Sequence, residues 1–202
     1  FELLTRWQCK RLSIGVTGFY SFIEEIIKRV PSTYQGLDEV DGKTVYKNTN
    51  GDRAIVYGVE SNLSVMLMKG IILSGNFTYT YGREFVDNGA DDYVSRIPPM
   101  YGIVKVRWNL PKTKSAKSYI EGYIKSAGRQ NKLSDEDVAD VRIPKDGTPD
   151  WTTYNIRGGV ILKNTYRISC ALENLTNEEY KYHASGVYAA GFNVIVTLDA
   201  KF

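Results

Sequence analysis

Apolar residues occupy every second position in the last eleven residues of the chain, FNVIVTLDAKF. Asn193, Thr197, Asp199 and Lys201 lie between them, with Ile195 as the one apolar exception. A period of two predicts a β-strand with one apolar face and one mostly polar face. This alternation, over about 9–11 residues, is typical of a strand in a membrane barrel. The apolar set of this strand is Phe192, Val194, Val196, Leu198, Ala200 and Phe202.

The same alternation recurs along the rest of the chain. A short strand end occupies residues 1–7, and residues 117–129 show the weakest alternation. The other alternating segments are residues 12–27, 54–68, 71–81, 101–109, 152–162 and 166–173. We therefore predict an all-β chain of about eight antiparallel strands plus a stub, because strand and connection together take roughly 25 residues in a membrane barrel.

The connections between these segments alternate between long and short. Long polar connections begin near Lys28, Gly82, Gln130 and Asn174, whereas short turns lie near Gln8, Lys69, Leu110 and Lys163. An up-and-down transmembrane barrel with long outer loops and short periplasmic turns produces this pattern. With this orientation the aromatic residues form two candidate girdles. Trp7, Trp108 and Phe202 lie at the short-turn end, and Tyr81, Tyr101, Trp151 and Phe192 lie at the long-loop end.

Composition excludes several classes of function. The net charge of +3 is small and no run of Lys and Arg forms a stripe, so we expect no nucleic-acid partner. No stretch approaches 18 apolar residues, the length that a spanning helix requires. Cys9 and Cys170 lie far apart, and neither has a second Cys or His at metal-ligand spacing. Phosphate-loop and dinucleotide motifs are missing as well, so we expect no cofactor.

Catalytic and metal-binding constellations are equally weak. The single histidine, His183, has no Ser or Cys nucleophile motif around it, so we do not expect an enzyme. Two acidic stretches, residues 87–92 and 135–137, carry carboxylates of the kind that Ca²⁺ prefers. Neither has the spacing of a loop that wraps Ca²⁺ from one segment, and we interpret both as solvated outer loops.

The last thirty residues, ENLTNEEYKYHASGVYAAGFNVIVTLDAKF, resemble the closing segment of TonB-dependent outer-membrane receptors. Three upstream segments resemble the same family in the same order: residues 46–67, 74–82 and 95–102. Thr176 stands where the family usually has Phe. The matching positions of the closing segment are Glu173, Asn174, Leu175, Tyr180, His183, Gly186, Gly191 and Phe202.

This resemblance implies a barrel of about 22 strands around an N-terminal plug. The chain would then be the C-terminal portion of the barrel, without the plug or the N-terminal barrel strands. The chain also starts in the middle of a strand pattern at Phe1, without an initiator Met, which we interpret as a processed product or a fragment.

The implied activity is active transport across the outer membrane of a Gram-negative bacterium. The implied substrate is a scarce nutrient: a ferric siderophore, haem, cobalamin or a glycan. The implied partners are outer-membrane lipid, the remaining barrel and plug, the TonB complex through the plug, and the barrel-assembly machinery. The terminal strand, through Phe192, Val194, Val196, Leu198 and Phe202, would be the signal that this machinery recognises.

Charged residues alternate with the apolar ones and are expected to face the barrel lumen. We expect most of them to pair with neighbours across the wall and with the plug, and some to line a substrate path. The candidate lumen-lining residues are Glu60, Lys105, Arg107, Arg157, Arg167 and Glu173.

Two other interpretations fit the alternation. A small or split outer-membrane barrel with a structural or interaction role would use the same strands. A soluble β-sandwich that serves as a binding module would hide the apolar faces against each other instead.

Overall fold

The computed structural model of the protein describes residues 1–50, 53–85 and 90–201. These residues form long β-strands, a few short strands in the connections, and one helical turn. The elements in chain order are β1 (Glu2–Gln8), β2 (Leu12–Glu24), β3 (Ile27–Pro31), β4 (Glu39–Val40), β5 (Lys43–Thr44), β6 (Tyr46–Asn50), β7 (Arg53–Met68), β8 (Ile71–Phe85), β9 (Asp92–Tyr93), β10 (Tyr101–Asn109), β11 (Ala116–Ala127), α1 (Asp135–Ala139), β12 (Trp151–Leu162), β13 (Tyr166–Glu173) and β14 (Asn193–Ala200).

One antiparallel sheet holds the long strands together. Its order is β1-β2-β7-β8-β10-β11-β12-β13-β14, with the short β9 paired to the far end of β8. Each long strand therefore lies beside the long strands that precede and follow it in the chain, and β1 and β14 form the two edges. This order confirms the predicted antiparallel up-and-down wall of a partial barrel. The described residues provide no second large sheet to pack against it, so a two-sheet sandwich is excluded.

The outer face of this sheet is apolar and exposed. Register places Val104 opposite Ile124, and Ile124 opposite Tyr154, in one row across three strands. These side chains are 53%, 41% and 47% exposed, respectively. Lipid covers such a row in a membrane barrel, so no protein layer is needed over it. No helix in the described ranges is long and apolar enough to span a membrane.

The inner face is polar along most of the wall and becomes buried at the long-loop end. Tyr123, Ala127, Trp151, Thr153 and Asn155 are all less than 9% exposed. They are adjacent in register on β11 and β12. The connections after β11 and after β13 carry further buried residues, including Gln130, Ser134 and Asn174. The buried part of the molecule therefore lies between the inner wall and the outer loops.

The long connections contain more structure than the sequence predicts. The first forms a two-stranded ribbon of β3 with β6, and a second small pair, β4 with β5, follows within it. β8 continues to Phe85, four residues past the predicted end at Tyr81. β14 begins at Asn193, so Phe192 precedes it. Strands of two to five residues contain too few positions for a period of two to be recognised, which explains why the hydrophobic pattern does not reveal them.

Gly58 provides a test of how tightly the wall is packed. A Cβ at Gly58 would overlap the Tyr79 carbonyl oxygen and the Phe19 ring, whereas a Cβ at Gly122 would meet nothing within 4 Å. We expect Gly58→Ala to destabilise the fold by about 1–3 kcal/mol, because the Tyr79 backbone must shift. The matched control, Gly122→Ala, should change stability by no more than about 0.5 kcal/mol.

The measurement is urea unfolding of the natural polypeptide that contains this chain, in detergent. Equal unfolding midpoints for the two variants would contradict the close approach at Gly58.

Candidate functional site

A cavity of about 410 Å³ lies against the inner face of β10, β11 and β12 at the long-loop end. Its floor comes from strand residues such as Ile103, Lys125 and Trp151. Its roof comes from three connections, which contribute Arg96 and Pro98 before β10, Thr148 before β12, and residues 181–183 before β14. Residues far apart in the chain meet here because the up-and-down order brings alternate connections to the same end of the sheet.

One wall of the cavity is aromatic. The Trp151 ring packs on Tyr180 with centroids 4.2 Å apart and meets the edge of Tyr182 at 5.4 Å. Trp151 is 7% exposed. Burial, together with a hydrogen bond to Tyr182, raises the pKa of Tyr180 to about 12. The Tyr180 hydroxyl is therefore neutral at physiological pH, and this cluster adds no negative charge to the cavity.

Three cationic side chains line the same cavity: Arg96, Lys125 and Lys181. Lys125 Nζ lies 3.3 Å from Glu173 Oε1, and Lys181 donates a hydrogen bond to the Arg142 carbonyl oxygen at 2.9 Å. None of the described lining residues is an Asp or a Glu. The charged side chains that line the cavity are therefore cations, which favours an anionic ligand.

A network of ion pairs covers the inner wall below the cavity. Glu121 is 4% exposed and accepts a 2.7 Å hydrogen bond from Arg157 Nε. Arg107 Nη1 lies 3.9 Å from Glu121 Oε2. The Arg107 guanidinium also lies 3.7 Å from the centre of the Tyr119 ring. A buried carboxylate is tolerated only when charged partners and hydrogen bonds compensate for lost water. Glu121 therefore anchors the wall rather than offering a free acid.

A second group joins this network to the cavity. The Tyr123 hydroxyl donates to Glu173 Oε1 at 2.6 Å, and Lys125 Nζ donates to the same oxygen at 3.3 Å. Sequence reasoning missed Glu121, Tyr123 and Lys125, all of which lie on β11. Tyr119 and Tyr123 share the charged face of that strand, whereas Ser118 and Gly122 share the other. This inversion weakens the hydrophobic alternation that would have revealed the strand's polar face.

The predicted lumen-lining residues all lie on the inner face. Arg107 and Arg157 meet at Glu121, Glu173 meets Lys125, and Arg167 lies 3.9 Å from Asp199 in an exposed pair. Lys105 and Glu60 form no ion pair with any residue in the described part of the chain. Whether these residues line a substrate path stays a prediction.

The structure corrects the predicted position of two girdle residues. Tyr101 pairs with Ala127, and Ala127 with Trp151, so these three residues share the inner face. Tyr101 and Trp151 both line the cavity and do not face lipid. Successive side chains of a strand point to opposite faces, so the face of a residue depends on whether it lies an odd or an even number of positions from a reference residue. Its height along the barrel does not decide its face.

The other girdle residues lie on the outer face. Trp7 is 62% exposed and Trp108 is 49% exposed. Tyr81 packs between Tyr57 and Tyr93, with ring centroids 5.2 Å and 6.1 Å away, respectively. Their contact with a membrane interface stays a prediction.

The predicted assembly signal lies mostly on the edge strand. Val194, Val196 and Leu198 are exposed on the outer face of β14. Phe192 is 54% exposed, and its N–H donates to Asn177 Oδ1 at 2.9 Å. Phe202 lies outside the described residues, and recognition by the assembly machinery stays a prediction.

The acidic stretches do not form a metal site among the described residues. No group of three or more His, Cys, Asp or Glu side chains in these ranges is arranged to hold a metal ion. Residues 87–89 lie outside the described ranges. In the second stretch, Asp137 is 1% exposed and caps α1 through Ser134, so it is not the solvated residue that the sequence predicts.

Asn174 fixes the last long connection to the wall. Its side chain donates to the carbonyl oxygens of Glu178 (2.8 Å) and Ala190 (3.1 Å) and accepts from the Glu178 N–H (2.8 Å). Its own N–H donates to Asn155 Oδ1 at 2.8 Å. Asn174 has φ 51°, a left-handed conformation that Asn adopts more readily than most residues. One buried side chain thus closes both ends of this connection.

His183 joins the last connection to the previous one. Its Nδ1 lies 2.9 Å from Thr148 Oγ1, and its buried Nε2 has no hydrogen-bond partner among the described residues. Burial lowers the pKa of His183, and the nearby carboxylates of Asp137 and Asp140 oppose this only in part. The imidazole is therefore held neutral at neutral pH.

A polar inner wall, an apolar outer face and structured loops at one end define a transmembrane barrel wall with a loop-covered cavity. The chain belongs to the family described as TonB dependent receptor-like, beta-barrel, whose family model matches residues 1–193. It is a protein of the bacterial outer membrane. An iron-regulated outer membrane virulence protein of Vibrio cholerae serotype O1 is 22% identical over 195 residues, which are 95% of this chain and 28% of that protein. The chain thus spans less than a third of that relative.

Solved structures share this fold. The copper transporter OprC superposes with a TM-score of 0.81 at 14% identity. A mutant of the ferric enterobactin receptor of Pseudomonas aeruginosa gives 0.69 at 18% identity, and the ferric yersiniabactin uptake receptor of Yersinia pestis gives 0.64 at 16%. All of this chain is covered in each case, against 30%, 30% and 29% of those chains, respectively. At these identities the likeness shows the fold.

Asn174→Ala tests the anchoring of the last connection. The substitution leaves three backbone groups without their partner, so we expect this connection to lose about 1–3 kcal/mol of local stability. The matched control is Asn164→Ala, because Asn164 has a similar φ of 57° but lies in an exposed short turn. Hydrogen exchange of residues 175–191 measures the effect. Equal protection of residues 175–191 in the two variants would contradict the anchoring role of the Asn174 side chain.

The neutral His183 predicts a pH dependence of the same region. Its lowered pKa means that the closed loops bind fewer protons than the opened loops, so their stability is complete above about pH 6.5 and falls below it. The measurement is the rate of amide hydrogen exchange at residues 146–149 and 181–185, divided by the rate in unstructured peptides. We expect this ratio to rise by at most about tenfold per pH unit as the pH falls from about 7.5 to about 5.5. His183→Phe should remove this dependence. If it persists in that variant, another group is responsible.

Proposed function

We propose that this chain forms the C-terminal portion of the barrel of an outer-membrane receptor that takes up a scarce nutrient as an anionic complex. The observation that carries the proposal is the cavity described above. It places Arg96, Lys125 and Lys181 around an aromatic wall, with no carboxylate among its described lining residues. Attraction between these cations and an anion is strongest where neighbouring protein excludes water.

The cavity chemistry favours some of the expected substrates over others. A ferric siderophore or haem carries acidic groups that Lys181 and Lys125 can bind, whereas a neutral glycan or cobalamin offers these cations no charged group. The names of the relatives support the same choice, since one is iron-regulated and two of the structural neighbours are receptors for ferric enterobactin and ferric yersiniabactin. We therefore place an anionic iron chelate first.

The size of the cavity sets how much of a ligand it can hold. Its volume of about 410 Å³ lies within the range of about 300–1,000 Å³ that small-molecule pockets occupy. Since the chain spans only about 30% of the related receptor structures, we treat the cavity as one part of a larger binding surface, to which the rest of the barrel would contribute. The proposal includes a plug inside that barrel. It also includes energy supplied through TonB, and the family's description names TonB. Lys105 and Glu60 face this interior and are available to a plug.

Neutralising the cavity cations tests the proposal. We expect Lys181→Gln and Lys125→Gln each to lower the uptake of an anionic ferric chelate by about tenfold at limiting concentration, because each removes a charge-assisted contact. The matched control is Lys117→Gln. Lys117 lies on the same strand and face as Lys125 but at the short-turn end, where it bonds Asn164.

The measurement is uptake by whole cells of radiolabelled ferric catecholate, ferric hydroxamate, haem and cobalamin, with surface levels of each variant checked. Loss of uptake in Lys117→Gln to the same extent, or unchanged uptake in the two cavity variants, would overturn the assignment of the cavity.

A further inference from the structure

Asp137 is an almost fully buried carboxylate in a surface connection. It is 1% exposed, although it belongs to the short helical turn α1. Its two oxygens lie 3.1 Å and 3.3 Å from the backbone nitrogen of Arg96, which donates to them across 41 residues of sequence. The Ser134 N–H donates to Asp137 Oδ2 at 3.3 Å. One carboxylate therefore ties the connection before β10 to the connection before β12.

The residue that Asp137 holds is in an unusual conformation. Arg96 has φ 58°, in the left-handed region that residues other than Gly, Asn and Asp rarely adopt. The Pro98–Pro99 segment that follows lines the cavity, and the Ile97 carbonyl oxygen accepts a hydrogen bond from Gln130 Nε2 at 2.6 Å. The hydrogen bonds from the Arg96 N–H to the Asp137 carboxylate thus offset part of the energetic cost of this backbone conformation. The conformation directs the Pro98–Pro99 segment toward the cavity.

A second path leads from the same connection to another cavity cation, Lys181. The Arg96 guanidinium lies 3.8 Å from Asp140 Oδ2, and Arg142 Nε donates to Asp140 Oδ1 at 2.9 Å. These bonds lower the pKa of Asp140 well below its usual range, so it is ionised at physiological pH. The Arg142 carbonyl oxygen accepts from Lys181 Nζ at 2.9 Å. The connection that Asp137 anchors therefore contacts both Arg96 and Lys181.

We propose that Asp137 is a positioning residue that makes the three connections over the cavity act as one preformed unit. It holds Arg96 through its backbone and Lys181 through the Asp140–Arg142 segment. A ligand then meets cations that are already in place, so less ordering of loops opposes its binding. This inference rests on the proposed function for its effect on uptake, but the coupling between the connections does not require any ligand.

The first experiment measures that coupling alone. Hydrogen exchange is followed in the natural polypeptide for Asp137→Ala and for Asp135→Ala, an exposed carboxylate of the same helical turn. We expect exchange to rise by about tenfold or more at residues 94–100 and 178–185 together in Asp137→Ala, and to stay unchanged at both segments in Asp135→Ala. A rise confined to residues 134–139 would show that Asp137 only caps α1, which would overturn the inference.

The second experiment measures the consequence for uptake. If the wild type takes up a radiolabelled ferric chelate, we expect Asp137→Ala to raise the KM for uptake by about tenfold while the maximal rate changes by less than about twofold. In the double variant with Lys181→Gln, the two effects should be less than additive in free energy, because both act through the same cation. Full additivity or an unchanged KM would overturn the positioning role.

These outcomes separate the two proposals. A wild type that takes up no anionic ferric chelate contradicts the proposed function, while coupled exchange in Asp137→Ala would still support the preformed unit. If Asp137→Ala fails to assemble, Asp137→Asn takes its place, since the amide keeps one acceptor for the helix cap. For Asp137→Asn we expect a smaller rise in exchange in the same two segments, and a rise in only one of them would overturn the inference.

Discussion

Every backbone N–H and C=O group that crosses a membrane has to be paired within the protein, because lipid offers no hydrogen bonds. In this chain the constraint is met by one antiparallel sheet, in which each long strand except the edges β1 and β14 is bonded on both sides. Antiparallel pairing fixes the alternation of side chains between two faces. Because lipid contacts one face, the charged residues in the middle of the strands, such as Glu60, Arg107 and Arg157, lie on the other, and this separation creates the inner wall.

Confinement of charges to one face forces them to compensate each other. Glu121 is buried between Arg107 and Arg157, and the Glu173 carboxylate accepts hydrogen bonds from Tyr123 and Lys125. The wall contains enough acid to pair its arginines in mid-strand, but none of the described residues lining the cavity is acidic. Of the three cavity cations, Lys125 comes from the wall, whereas Arg96 and Lys181 come from the connections. The candidate site therefore forms where the wall meets the outer loops.

The period of two was sufficient to predict the long strands, the loop parity and the shared face of residues such as Arg107 and Arg157. Counting parity could also have placed Trp151, which precedes Arg157 by an even number of residues and so shares its face. Two kinds of feature could not be predicted. β11 carries tyrosines on its charged face and Gly122 on the apolar one, which inverts the usual contrast. The Asp137 contact with Arg96 joins residues that no local pattern relates, since it depends on how two loops fold together.

The motif that identifies the family acts at the junction of wall and loop. Glu173 is the last residue of β13 and accepts bonds from the wall, Asn174 closes the next connection, and the Leu175 N–H donates to the Tyr154 carbonyl oxygen at 2.9 Å. Each role concerns how a strand ends and a loop begins, and none requires a ligand. The motif therefore identifies the fold, and under the proposed function the ligand is bound by loop residues such as Arg96 and Lys181, whose positions depend on packing between loops.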